Sequence, residues 1–86
     1  MAEASIAFHD WGEVMHFRPA AEIVETVKRY DVPVYLRSGE GLEVSADSII
    51  NLMTLQTDRQ MTVRSDSEAA LADVMAILED LHCKSH

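Results

Sequence analysis

His16, Arg18 and Pro19 stand together in "HFRPAA", directly ahead of a run of residues with helical periodicity. Proline is favoured in the first turn of a helix because its missing N–H would have no partner there. Pro19 therefore marks a helix start, and His16 falls at or just before it. The unpaired amides of a first turn and the positive end of the helix dipole converge at such a point and make an anion site. That potential disfavours an imidazolium and leaves a ring nitrogen free as a nucleophile. Arg18 adds a fixed charge and fork-shaped donors suited to phosphate oxygens. The combination suits reversible phosphoryl transfer, in which histidine attacks while arginine and amides hold the group. The same residues also read as a solvated loop histidine beside an ordinary surface charge, and spacing alone leaves both readings open.

The rest of the chain limits how such a site can work. Its 86 residues form one domain, residues 1–86, which buries roughly 60–65% of the surface exposed by the unfolded chain. That allows a single two-layer core and places function on the outside of the fold rather than in an enclosing pocket. Fifteen acidic against seven basic residues give a net charge of -8, which disfavours nucleic acid and anionic lipid as partners. The single cysteine, Cys83, cannot form an internal disulfide, so a reducing, cytoplasmic setting is expected. "MAEASIAFHDWG" lacks a basic n-region and an apolar h-region, and no stretch is long enough to span a bilayer.

The elements that must position the site follow from pattern. Ser5 to His9 is expected as a strand broken by "DWG". From Phe17, the apolar residues Ala20, Ala21, Ile23, Val24, Val27 and Tyr30 recur at helical spacing, opposite Glu22, Glu25, Lys28 and Arg29. Pro33 ends that helix, and "VPVYLRS" has strand composition. "SGEG" turns the chain into a second strand, Leu42 to Ser45, antiparallel to the first. Ser45, Asp47 and Ser48 are candidate caps for a short helix carrying Ile49, Ile50, Leu52, Met53 and Leu55, which packing must hold. "MTVRS" alternates as a fourth strand. "DSEAALADVMAILEDLH" is a last helix, with Ser65, Asp66 and Ser67 as acceptable caps and Leu71, Val74, Met75, Leu78 and Leu81 on one stripe. The order βαββαβα implies an α+β fold of two layers, three helices on one face of a four-stranded sheet.

"HFRPAAEIVETVKRYD" followed by "LRSGEGLEVSADSIINLMTL" resembles HPr, the histidine-containing phosphocarrier family of the bacterial phosphoenolpyruvate:sugar phosphotransferase system. The resemblance runs from about Ser5 to about Asp80 and rests on H-x-R-P-A-A and S-I-x-x-L-M-x-L. It implies an open-faced β-sandwich with an antiparallel sheet. It also implies that His16 accepts a phosphoryl group from an Enzyme I-like donor and passes it to an enzyme IIA-type acceptor, assisted by Arg18 and the backbone N–H of Phe17. Ser48 matches the serine that an HPr kinase/phosphorylase modifies in some bacteria. A phosphate there would be favoured by the helix dipole but would add charge to a contact face and lie beside Asp47. The protein would be a monomeric carrier rather than an independent enzyme, since no second acid or base is placed near His16. No cofactor or metal is implied.

The departures centre on the active loop. Val14 and Phe17 stand where family members have glycine and alanine, and Asp47 and Asn51 stand where basic residues are common. Glu22 and Glu25 add negative charge on the first helix, and "QTDRQ" is short for the family. Phe17, Ala21, Ile49, Ile50 and Met53 would form an exposed apolar docking face beside His16, ringed by more negative charge than usual. These changes support an alternative reading, a regulatory protein-binding module of the same fold with little or no phosphotransfer. His9, His82, Cys83 and His86 are declined as metal ligands, because a frayed tail makes a poor site. Trp11 is read as packed or partly exposed loop, and Met53, Met61 and Met75 as core filler.

Overall fold

A computed structural model of the chain describes residues 2–7, 11, 15–39, 41–55 and 60–84, with side chains as far as Leu81. Alternating residues build the sheet. The strands are β1 (Ala2–Ala7), β2 (Val34–Ser38), β3 (Glu43–Ser45) and β4 (Gln60–Ser65), in the order β1-β4-β2-β3. Every neighbouring pair is antiparallel. Val34, Leu36 and Ser38 of β2 and Met61, Val63 and Ser65 of β4 are buried, while their alternates are half-buried or exposed. This period of two gives the sheet one core face and one open face. The open face carries Glu3, Arg37, Arg64 and Glu43, with Arg64 Nη1 2.8 Å from Glu43 Oε2 and Arg64 Nε 3.2 Å from Glu3 Oε1.

Three helices, α1 (Phe17–Arg29), α2 (Ile49–Thr54) and α3 (Glu68–Lys84), cover the core face. Their stripes supply Ala20, Ile23, Val24 and Val27 from α1, Leu52 from α2, and Ala70, Leu71, Val74 and Leu78 from α3, all buried. Complete burial of side chains of the Val/Leu/Ile class stabilises by about 1.5–3 kcal/mol each before entropy is counted. The architecture is the open-faced α+β sandwich expected from the sequence.

Local chemistry sets the boundaries. Ser48 caps α2 by accepting from Asn51 N–H at 3.4 Å, and Asn51 Nδ2 donates to Ser45 O at 3.3 Å. Of the three candidate caps for α3, Ser67 fills the role, accepting from Ala70 N–H at 3.2 Å. Ser65 is instead buried, donating to Pro33 O at 3.1 Å and accepting from Ser67 N–H at 3.1 Å. Gly41, at φ +96, closes the β2–β3 hairpin, in a region that residues with a Cβ adopt only at a cost.

Three expectations change. The first strand begins at Ala2 rather than Ser5, because Ala2, Ala4 and Ile6 face the core while β1 pairs with β4 from Ala2↔Ser65 to Ala7↔Gln60. Phe8 and His9, assigned to that strand from sequence, lie outside the described residues. The last helix runs on to Lys84 instead of fraying after His82. Met53 is not core filler: it is 46% exposed, whereas Met61 is buried and Met75 partly so.

Candidate functional site

His16 is the N-cap residue of α1, extended at φ -91 and ψ -178, and its exposed side chain caps no backbone amide. The first intrahelical bond runs from Ala20 N–H to His16 O at 3.1 Å. Pro19 has no N–H, so the first-turn amides ahead of that bond are those of Phe17 and Arg18. No acidic residue occupies the first turn, and Arg18 is exposed. Positive potential from the helix end and two first-turn amides therefore meets an accessible imidazole, and Arg18 lines the same groove as His16.

Two grooves flank this helix end. His16, Arg18, Pro19 and Glu22 form one wall of an open groove of about 640 Å³, and Ala76, Ile77, Asp80 and Leu81 of α3 form the other. Phe17 lies on a different side of α1. With Val24 and Lys28 it faces Asp47, Ser48, Ile49, Ile50 and Met53 across a groove of about 460 Å³. The division follows from helical geometry, since residues 17, 24 and 28 share one face and 18 and 22 another.

Of the five apolar residues expected to form an exposed face, Phe17, Ile49, Ile50 and Met53 line this second groove and Ala21 does not. Phe17 is 64% and Ile50 71% exposed, and Met53 lies beside them. Two members are less available than expected: Ala21 is half-buried, and Ile49 turns partly into the core. Ser48 opens onto the same apolar groove, and Lys28 brings a positive charge to a rim otherwise marked by Asp47. Sequence reasoning placed Lys28 on the polar face of α1 and missed that the docking of α2 recruits it. It also missed Asp80 at the His16 groove, because only the packing of α3 on α1 brings that residue there.

Trp11 is fully buried, which selects the packed alternative of the two read from sequence. Val14 and the "QTDR" of the short connection lie outside the described residues. So do His9, His86 and the side chains of His82 and Cys83. Among the described residues, no group of three or more His, Cys, Asp or Glu could hold a metal ion, and no helix is long and apolar enough to cross a membrane.

Fold and helix-end histidine together define an HPr-type open-faced sandwich. Structural comparison agrees: HPr from Thermoanaerobacter tengcongensis superimposes with a TM-score of 0.76 over 95% of this chain and 96% of that one, at 21% identity. Crh, the Bacillus subtilis catabolite repression containing protein, crystallised as a swapped-domain dimer, matches with a TM-score of 0.66. It is 31% identical, with 76% of this chain and 79% of that one covered. Phosphocarrier protein NPr of Escherichia coli K12 is 40% identical over 68 residues, 73% of this chain and 76% of that protein. The family profile described as "PTS HPr component phosphorylation site" matches residues 12–80. The chain belongs to the PTS HPr family of phosphocarrier proteins.

Proposed function

We propose that His16 is the residue that carries the phosphoryl group. The observation behind this reading is its position: an exposed imidazole at the cap of α1, free of capping duty, at the Phe17 and Arg18 amides of the first turn and in the groove that Arg18 also lines. A ring nitrogen of His16 attacks the phosphorus of an Enzyme I-like phospho-donor. A new N–P bond forms while the bond from phosphorus to the donor breaks, its electron pair leaving with the donor. The phosphoryl oxygens are held by the Phe17 amide, Arg18 and the dipole of α1. Delivery to an enzyme IIA-type acceptor reverses these steps.

Little of the chemistry needs a second catalytic group here, because the partners supply the other half of each exchange. The protein then acts as a monomeric carrier in the cytoplasm and not as an independent enzyme. Phe17, Ile50 and Met53, with contributions from Ala21 and Ile49, form the face on which both partners dock. Ser48 is a regulatory position for an HPr kinase/phosphorylase: phosphate there would place a dianion in the apolar groove next to Asp47 and weaken docking.

The test is the intact mass after incubation with phosphoenolpyruvate, Mg²⁺ and catalytic Enzyme I, run beside His16→Ala. A gain of one acid-labile phosphate, missing in the variant, is expected. No gain, with a standard HPr phosphorylated in the same tube, would instead favour the regulatory binding module.

A further inference from the structure

The groove beside His16 contains negative as well as positive charge. Glu22 lies one turn beyond Arg18 on the α1 wall, and Asp80 stands on the opposite wall, from α3, with Ala76, Ile77 and Leu81. Six residues separate His16 from Glu22 along α1, about 9 Å at ~1.5 Å per residue, which is within one Debye length, ~10 Å at 0.1 M salt, and Asp80 lines the same groove. Charges along its walls are therefore only partly screened from one another. A phosphoryl group on an imidazole adds close to two negative charges at the His16 end. Arg18 and the helix end attract that charge, whereas Glu22 and Asp80 repel it.

We propose that Glu22 and Asp80 set the donor strength of phosphorylated His16, raising its tendency to pass the phosphoryl group on. This rests on the reading of His16 as the phosphoryl acceptor. The two carboxylates touch neither the ring nor the phosphate in the transfer; they act through the field. Repulsion is present only while the group is on His16 and vanishes when the N–P bond breaks and the phosphoryl group departs to the acceptor. The phosphorylated state is thus raised relative to the free state, which makes this carrier a readier donor and a more reluctant acceptor. Without them, the attraction from Arg18 and α1 would hold the group more tightly.

The exchange equilibrium between two carriers isolates this effect, because a catalyst cannot change it. Heavy-nitrogen-labelled native protein and unlabelled Glu22→Gln are mixed with catalytic Enzyme I and limiting phosphoenolpyruvate until exchange is complete. Intact mass then gives the phosphorylated fraction of each. The variant is expected to hold about two- to fivefold more phosphate than native protein at low salt, from one removed charge interaction at this range. Asp80→Asn should behave alike, and both ratios should fall toward one in 1 M salt. Glu22→Asp and Asp80→Glu, which keep the charge, should stay near one.

Ratios of one for both neutral variants at low salt would overturn the proposal, as would a shift in the charge-retaining variants equal to that in the neutral ones. In either case the native protein still takes up phosphate, so the carrier reading survives. Absence of uptake by native protein would remove the carrier reading and this proposal with it.

Discussion

The indole Nε1 of Trp11 donates to the backbone carbonyl of Leu52 at 2.9 Å, both residues being fully buried. A residue five positions ahead of His16 thereby satisfies a carbonyl in the last turn of α2, where helices leave acceptors unpaired. Six residues make α2 too short to stand alone. Its position, and with it that of Ile50 and Met53, depends on contacts of this kind.

Trp11→Phe should therefore destabilise the fold by roughly 2–4 kcal/mol, combining an unpaired buried carbonyl with a partly emptied site. Urea denaturation followed by far-UV circular dichroism checks this. A change below about 0.5 kcal/mol, the size of a neutral surface substitution, would show that α2 is held by other contacts.

Tyr30, at the C-terminal end of α1, donates from its hydroxyl to Asp73 Oδ2 of α3. That hydrogen bond, with smaller contributions from burial and from the Asp73 charge, raises the phenol above its ordinary value of 10.0. Because the folded-state pKa is raised, the neutral phenol is the form that the fold stabilises. This contribution is complete below about pH 10 and is lost as pH climbs through the folded-state value. In a Tyr35→Phe background, the phenolate absorbance should titrate above the ordinary value, and Asp73→Asn should lower its midpoint. An unchanged midpoint would exclude Asp73 as the cause.

Gly41→Ala tests backbone conformation alone. An added Cβ meets nothing within 4 Å, but φ stands at +96. The cost should be about 1–2 kcal/mol from the left-handed backbone, read as a lower urea midpoint with unchanged m-value. A neutral result would mean that the β2–β3 turn relaxes to another form.

Phe17→Ala and Ile50→Ala test the proposed docking face. Both side chains are mostly exposed, so stability should change by less than about 0.5 kcal/mol. Removing an apolar anchor that a partner buries typically costs about 2 kcal/mol. KM for Enzyme I should therefore rise by more than tenfold at similar kcat. Unaltered kinetics would place docking elsewhere.

Much of this arrangement was legible in the amino-acid order, and what was not had definite causes. Pro19 and the stripe from Ala20 to Val27 are local signals, so α1 and the place of His16 could be read directly. Ser65, Asp66 and Ser67 are chemically equivalent caps, and only the tie of Ser65 to Pro33 selects Ser67. Alternation showed four strands, but the order β1-β4-β2-β3 depends on long-range pairing that no local pattern encodes. The start of β1 was missed because Ala2 and Ala4 carry little apolar signal. Lys28 and Asp80 entered their grooves through the packing of α2 and α3 on α1, which periodicity within one helix does not reveal.

The most direct test of the account follows the phosphoryl group through a complete transfer. The protein is charged with radiolabelled phosphoenolpyruvate and Enzyme I, separated from both, and mixed with an enzyme IIA-type acceptor. Label should leave this protein and appear on the acceptor, and His16→Ala should neither gain nor deliver it. Label retained by the protein, or taken up equally well by His16→Ala, would contradict a carrier that works through His16.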